Sequence, residues 1–253
     1  VSRIPTDLPD AFNAGARVGI VVALPEELAT LTASKLKPGE CCPVGAHWVA
    51  YAGAGFRNAA AAAQLLAGKG IHCLISWGCA AGLAPDMKPG DLLLASQIDN
   101  GIRQFDTDSR FSASLRLSLP VNMTVHTGKL YSCDRLIGSS QEKQRLHQQT
   151  QAMGLDMESA AIADFAFRAN LPFMAVRSIA DPASQTLPTA VIQALNNQGR
   201  VELLKLLRYL FWHPFEVKAL IQLGRHFHAA QKTLKLAARG LSSQACFRPE
   251  PAN

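Results

Sequence analysis

The sequence predicts an α/β fold: a three-layer αβα sandwich around a mixed, largely parallel central sheet, followed by a C-terminal helical extension. Three observations predict it. Short Val- and Ile-rich apolar runs recur along the chain, several end in glycine-containing turns, and segments of helical period follow those turns. The 253 residues are 48% apolar and 17% charged, enough for a sizeable core and unlike a disordered chain.

Residues 1–16 (VSRIPTDLPDAFNAGA) contain Asp7 and Asp10 and no apolar block. They read as an N-terminal extension and not as a secretory signal. Arg17–Leu24 (RVGIVVAL) is nearly continuously apolar, the mark of a strand covered on both faces. Pro25-Glu26-Glu27 opens a helix, because proline suits the first turn and carboxylates suit its positive end. Trp48–Ala52 is a second strand, ending in Gly53-Ala54-Gly55 before an alanine-rich helix that runs to about Ala67. His72–Trp77 is a third strand, leading into the turn Gly78-Cys79-Ala80-Ala81-Gly82.

Asp91–Ser96 forms a strand after Lys88-Pro89-Gly90. Residues 99–120 are polar and irregular, which suits an active-site loop. Asn122–Ser132 is another strand, and Gly154–Met157 a short one running into a helix from about Glu158 to Asn170. Phe173–Ile179 is the last clear strand, with Asp181-Pro182 just after it where a loop begins. Residues 17–199 therefore form one catalytic-type domain, and 200–253 an extension.

Charge separates these two parts. Residues 1–199 hold sixteen basic and sixteen acidic residues, whereas 200–253 hold nine and three, so the whole net charge of +6 sits in the tail. That distribution argues against a nucleic-acid-binding surface spread over the domain. No uncharged apolar run reaches the length of a membrane-spanning helix. The six cysteines (41, 42, 73, 79, 133 and 246) form no CxxC pair and read as reduced core thiols of a cytoplasmic protein. No metal-ligand cluster is evident, and no cofactor is expected. A dinucleotide-binding oxidoreductase is excluded, because no GxGxxG follows the first strand.

In parallel α/β sheets, ligands collect at the carboxyl ends of strands. Glu27, Gly53-Ala54-Gly55, Gly78-Cys79, Met157-Glu158 and Asp181 all stand at such ends. Carboxyl groups gathered there suit the breaking of a purine N-glycosidic bond. That reaction needs an acid for the leaving base, a holder for the sugar hydroxyls and a base for the nucleophile. Taken singly, each residue has a plainer reading: Asp181 as a turn cap, Glu158 and Glu27 as first-turn helix acids.

Four segments in order change that balance. GIVVALPEEL (19–28), GAGFRNAAAA (53–62), SWGCAAGLAPDMKPGDLLLAS (76–96) and GLDMESAAIADFAFRANLPFMAVRSIAD (154–181) together resemble the purine nucleoside phosphorylase superfamily. They are most similar to its methylthioadenosine/S-adenosylhomocysteine nucleosidase branch. The resemblance covers about residues 17–190 and implies a nucleoside phosphorylase-like fold and a homo-oligomer.

It also implies roles. Asp181 is the acid at N7 of the base, and Glu27 the base that activates water. Glu158 holds the ribose hydroxyls, Met157 packs on the sugar, and Gly78-Cys79 lie near the anomeric carbon. Leu136 and Ile137 fall in the base-stacking segment. Two departures stand out: Ala180 precedes the acid where serine is common, and Cys79 replaces a serine. Hydrolysis is favoured over phosphorolysis, because Pro25-Glu26-Glu27 and Ser76-Trp77 occupy the places of phosphate-binding arginines. If inorganic phosphate is a co-substrate, Arg57 and Arg103 are the anion ligands to consider.

The segment Val201–Leu241 is expected to lack a counterpart in the small nucleosidases. Val217, Leu220, Ile221, Phe227 and Leu234 recur at helical spacing among Lys218, Arg225, Lys232 and Lys235. Such a helix either contacts an anionic membrane surface or packs on protein. With Trp77 and Cys79, this tail resembles the hopanoid-associated phosphorylases, which implies adenosylhopane, a lipid-linked adenine nucleoside, as substrate. The competing readings are a methylthioadenosine/S-adenosylhomocysteine nucleosidase, a purine nucleoside phosphorylase, a non-catalytic nucleoside sensor, and a membrane-surface interaction protein.

Overall fold

The computed structural model of the chain describes residues 17–194, 209 and 212–243. The expected N-terminal extension, most of the stretch joining the domain to the tail, and Cys246 lie outside the described residues. Nine strands form one mixed sheet: β1 (Val18–Val22), β2 (Glu40–Val44), β3 (His47–Tyr51), β4 (Cys73–Gly82), β5 (Leu92–Asp99), β6 (Gln104–Asp106), β7 (Val125–Ser132), β8 (Gly154–Asp156) and β9 (Phe173–Asp181). The described helices are α1 (Pro25–Leu28), α2 (Phe56–Ala67), α3 (Ser109–Ser118), α4 (Ser140–Thr150), α5 (Ser159–Arg168), α6 (Thr189–Ala194) and α7 (Val217–Ser243).

The strand order is β2-β3-β1-β4-β8-β7-β5-β6, and β9 pairs with both β4 and β5. The path β4-β8-β7-β5-β9 therefore closes on itself. Parallel pairs join β1 to β3 and β4, β4 to β9, and β7 to β5 and β8. Antiparallel pairs complete the sheet. Of the strands flanking the site, β1, β8 and β9 are buried along their whole length, as expected where both faces are covered.

Helices cover the two faces. On one, α2 presents Ala59, Ala62, Ala63 and Leu66 to Ala160, Ile162, Ala163 and Ala166 of α5 in a single apolar cluster. The alanines Ala59, Ala62 and Ala63 of α2 and Ala160, Ala163 and Ala166 of α5 let these helices approach closely. On the other face, Phe111 and Leu115 of α3 join Leu234, Ala237 and Leu241 of α7. The second half of α7 thus belongs to the core. Val217 and Ile221, at its start, are exposed, so the buried stripe lies further along the helix than hydrophobic spacing alone indicates.

Several expectations need correction. Residues 99–120 are not irregular: β6 extends the sheet and α3 follows, with Asp108 accepting hydrogen bonds from the Arg110 and Phe111 N–H groups as its N-cap. Gly78–Gly82 is not a turn but the end of β4. Its backbone pairs with β9 on one side and with β8 on the other, and these ladders outweigh glycine's local preference. Asp181 is the last residue of β9 rather than the first of a loop. The second strand is flanked by an antiparallel β2, and α4 forms in a polar stretch where no element was expected.

Candidate active site

The carboxyl ends of β1, β3, β4, β8 and β9 open onto one cavity of about 610 Å³. That size suits a nucleoside-scale ligand. Glu27, Cys79, Leu136, Ile137, Met157, Glu158 and Asp181 all line it. Seven of the residues singled out from sequence, far apart along the chain, are therefore brought to one wall or another of a single space.

Glu27 stands in the single turn α1, begun by Pro25, and is buried. Its Oε2 accepts hydrogen bonds from the N–H groups of Ala23 (2.9 Å) and Leu24 (3.0 Å), and its Oε1 from that of Cys79 (2.8 Å). The first-turn acid and the cavity carboxylate are thus the same group, since reaching back to the N-cap N–H also fixes its aim. Gly78 does not line the cavity, but its role is visible. A Cβ there would collide with the Glu27 carboxylate, so only glycine lets that group lie against β4. Burial raises the Glu27 pKa, against the opposing pull of the buried Arg177 charge and the three N–H donors.

Glu158 stands at the N-cap position of α5, half-buried; its side chain does not cap the helix, and its Oε1 accepts from the Gly55 N–H (2.9 Å). Gly55 has φ +102°, in the region that favours glycine, and this turns its N–H toward Glu158. Burial and the nearby Asp156 carboxylate push the Glu158 pKa up to about 7.

Asp181 arrives through an irregularity. The β4–β9 register pairs Ala80 with Ile179 and Ala81 with Asp181, leaving Ala180 as an extra residue. Such a bulge re-aims the side chain that follows it. Asp181 caps no turn. Its Oδ2 accepts from Lys143 Nζ of α4 at 2.5 Å, and its Oδ1, buried, has no hydrogen-bond partner. Burial raises its pKa, with the Lys143 and His226 charges opposing. The Cys79 thiol is pushed well up by burial and by the Glu27 charge, so it stays protonated and is no nucleophile at neutral pH.

Three buried charged residues behind these walls were not singled out from sequence. Arg177 of β9 donates through Nε to Asp156 of β8 (2.7 Å) and through NH2 to Ser76 (2.6 Å) and Ser159 (3.1 Å). This network ties β4, β8, β9 and α5 together beneath Glu27 and Glu158. Its signal was an arginine inside the apolar run FMAVRSIAD, where a buried charge demands a partner such as Asp156. The third, Lys143, carried no signal in its polar segment.

The two arginines considered for phosphate lie apart. Arg57 lines a neighbouring polar groove with Asn58, Asn100 and Tyr131. Arg103 stacks over Phe105 and Phe167 and pairs with Asp164 (3.7 Å). Among the described residues, the arginine lining the cavity is Arg135, exposed and bonded to Glu142. Among the same residues, no group of three or more His, Cys, Asp or Glu side chains is arranged to hold a metal ion.

Comparison with known proteins identifies what the chain is similar to. The sequence signature of the Phosphorylase superfamily matches residues 17–210. The 5′-methylthioadenosine/S-adenosylhomocysteine nucleosidase of Desulfotalea psychrophila is 29% identical over 203 residues, covering 67% of this chain and 86% of that protein. Among solved structures, the corresponding nucleosidase of Neisseria meningitidis, in complex with methylthio-immucillin-A, superposes with a TM-score of 0.67 at 19% identity. It covers 90% of this chain and 99% of its own. Futalosine hydrolase of Helicobacter pylori gives 0.63 at 19% identity, over 90% and 97%. Matches of that extent reach into the segment after residue 199, which corrects the expectation that the tail has no counterpart in small nucleosidases.

Proposed function

The chain belongs to the phosphorylase superfamily, and from that membership and the cavity we propose that it hydrolyses the N-glycosidic bond of an adenine nucleoside. The observation that carries this reading is the convergence of three carboxyl groups, Glu27, Glu158 and Asp181, from three separate elements on one largely apolar cavity. Asp181, which lines the cavity, protonates the departing base. Glu158 accepts hydrogen bonds from the ribose hydroxyls, and both it and Glu27 offset the positive charge that develops on the sugar. Glu27, held by three N–H groups, takes the proton of the attacking water. A buried carboxylate at the nucleophile's place repels phosphate, and Arg57 and Arg103 stand outside the cavity. Both points favour water.

The 5′ end of the substrate is apolar in this proposal. Leu136, Ile137, Leu187 and Ile192 line the cavity, and Leu136 and Ile192 are also exposed at its rim. That lining and the resemblance to hopanoid-associated phosphorylases support adenosylhopane. Exposed Trp212, Phe215 and Ile221, near exposed Lys218 and Arg225, support delivery from an anionic membrane surface. Among the described residues, no helix is long and apolar enough to cross a membrane. The second reading is methylthioadenosine/S-adenosylhomocysteine cleavage, favoured by the 29% identity to such a nucleosidase.

One assay decides between them: adenine release from adenosylhopane and from methylthioadenosine, with and without phosphate, and identification of the sugar product. The proposal expects faster release from adenosylhopane and a free sugar. Faster methylthioadenosine cleavage sinks the lipid-linked substrate, and a sugar 1-phosphate sinks hydrolysis.

A further inference from the structure

Lys143 of α4 is fully buried, and its side-chain hydrogen bonds all go to one short segment, residues 181–185. Its Nζ donates to Asp181 Oδ2 (2.5 Å), to the Gln185 carbonyl (2.8 Å) and, more weakly, to the Pro182 carbonyl (3.3 Å). Three acceptors around one nitrogen match the three donors of an ammonium. The three oxygens and the Asp181 charge favour the charged form, and burial, which lowers the Lys143 pKa, works against it.

Resting on the reading of Asp181 as the acid, we propose that Lys143 is its positioning residue, clamping Oδ2 so that the proton is delivered from Oδ1. In the neutral carboxyl the proton sits on Oδ1. It passes to the base as the glycosidic bond breaks and its electron pair leaves with the base. The resulting carboxylate is left paired with the Lys143 ammonium, which keeps its own protons throughout. Lys143 also binds the backbone after Asp181, so clamp and bulge fix the carboxyl from both sides.

The charged and titratable groups acting on Asp181 are Lys143 from α4 and His226 from α7. Both favour the carboxylate. Asp181 must be protonated to act, so activity falls as pH rises through its pKa. Removing the lysine charge raises that pKa and moves the fall to higher pH. An opposite charge at this distance is worth about 1–3 pKa units.

The test is the pH dependence of kcat/KM for adenine release by wild type and Lys143→Met. The expected result is a basic limb moved upward by about 1–3 pH units in the variant, with kcat reduced more than KM is changed. An unmoved limb in an active variant overturns the inference while leaving adenine cleavage intact; absence of adenine release by the wild type overturns the functional reading itself. If Lys143→Met does not fold, 15N-lysine spectra of wild type and Asp181→Asn carry the test. The Lys143 Nζ signal is expected to move on loss of the carboxylate, and an unmoved signal overturns the pairing.

Discussion

The two sides of the cavity hold their carboxyl groups by different means. On the sugar side, Glu27 and Glu158 are held by backbone N–H groups, and Arg177 and Asp156 neutralise each other beneath them. On the base side, Asp181 is held by one lysine side chain and retains a free oxygen. Backbone donors cannot be removed by a single side-chain substitution, whereas the lysine can. The sugar side is therefore built to keep carboxylates in place, and the base side leaves one carboxyl oxygen without a partner.

Substitutions on the sugar side test that contrast. The largest effect is expected for Glu27→Gln, which removes the general base while keeping the side chain's shape. Adenine release should fall by about 10²–10⁴-fold, and retention of the wild-type rate would remove Glu27 from the mechanism. Arg177→Met should cost about 3–5 kcal/mol of stability by stranding the buried Asp156. Denaturant unfolding of the variant checks this, and an unchanged midpoint would contradict the network's role.

Glu158→Gln removes a charge-assisted acceptor for the ribose hydroxyls, worth about 1.5–3 kcal/mol, and KM should rise by about tenfold or more. The pH dependence carries the same information. Glu158, with its pKa near 7, is protonated as pH falls through that value and loses acceptor capacity, so KM should rise toward acid in the wild type. That dependence should disappear in the glutamine variant. The smallest effect is expected for Cys79→Ser. Glu27 is bonded by the Cys79 backbone N–H, which the substitution keeps, so turnover should change by less than about tenfold. The wild-type thiol should also resist alkylation at neutral pH.

The site was legible where chemistry coincides with a strand end. Glu27, Glu158 and Asp181 each follow an apolar run, and their order along the chain gave them meaning that none has alone. Arg177 was half-legible, as a charge inside a buried strand. Lys143 was not legible: no element was expected in the polar stretch QEKQRLH, and only the docking of α4 against the end of β9 buries its third residue. Two features of the fold were hidden for a similar reason. The glycine-rich end of β4 looks like a turn until β8 and β9 pair with it, and residues 99–120 look irregular until Asp108 is seen capping a helix with Phe111 and Leu115 buried. The buried stripe of α7 relies on Ala230 and Ala237 beside Leu234 and Leu241, and alanine marks a face only once its neighbour is in place.

The central claim is that Asp181 is the acid that lets the base leave. Its most direct test is single-turnover adenine release by Asp181→Asn beside wild type, with equilibrium binding of a nucleoside analogue measured on both. The account predicts release slowed by about 10²–10⁴-fold with binding changed by less than about tenfold. Release at the wild-type rate would contradict it.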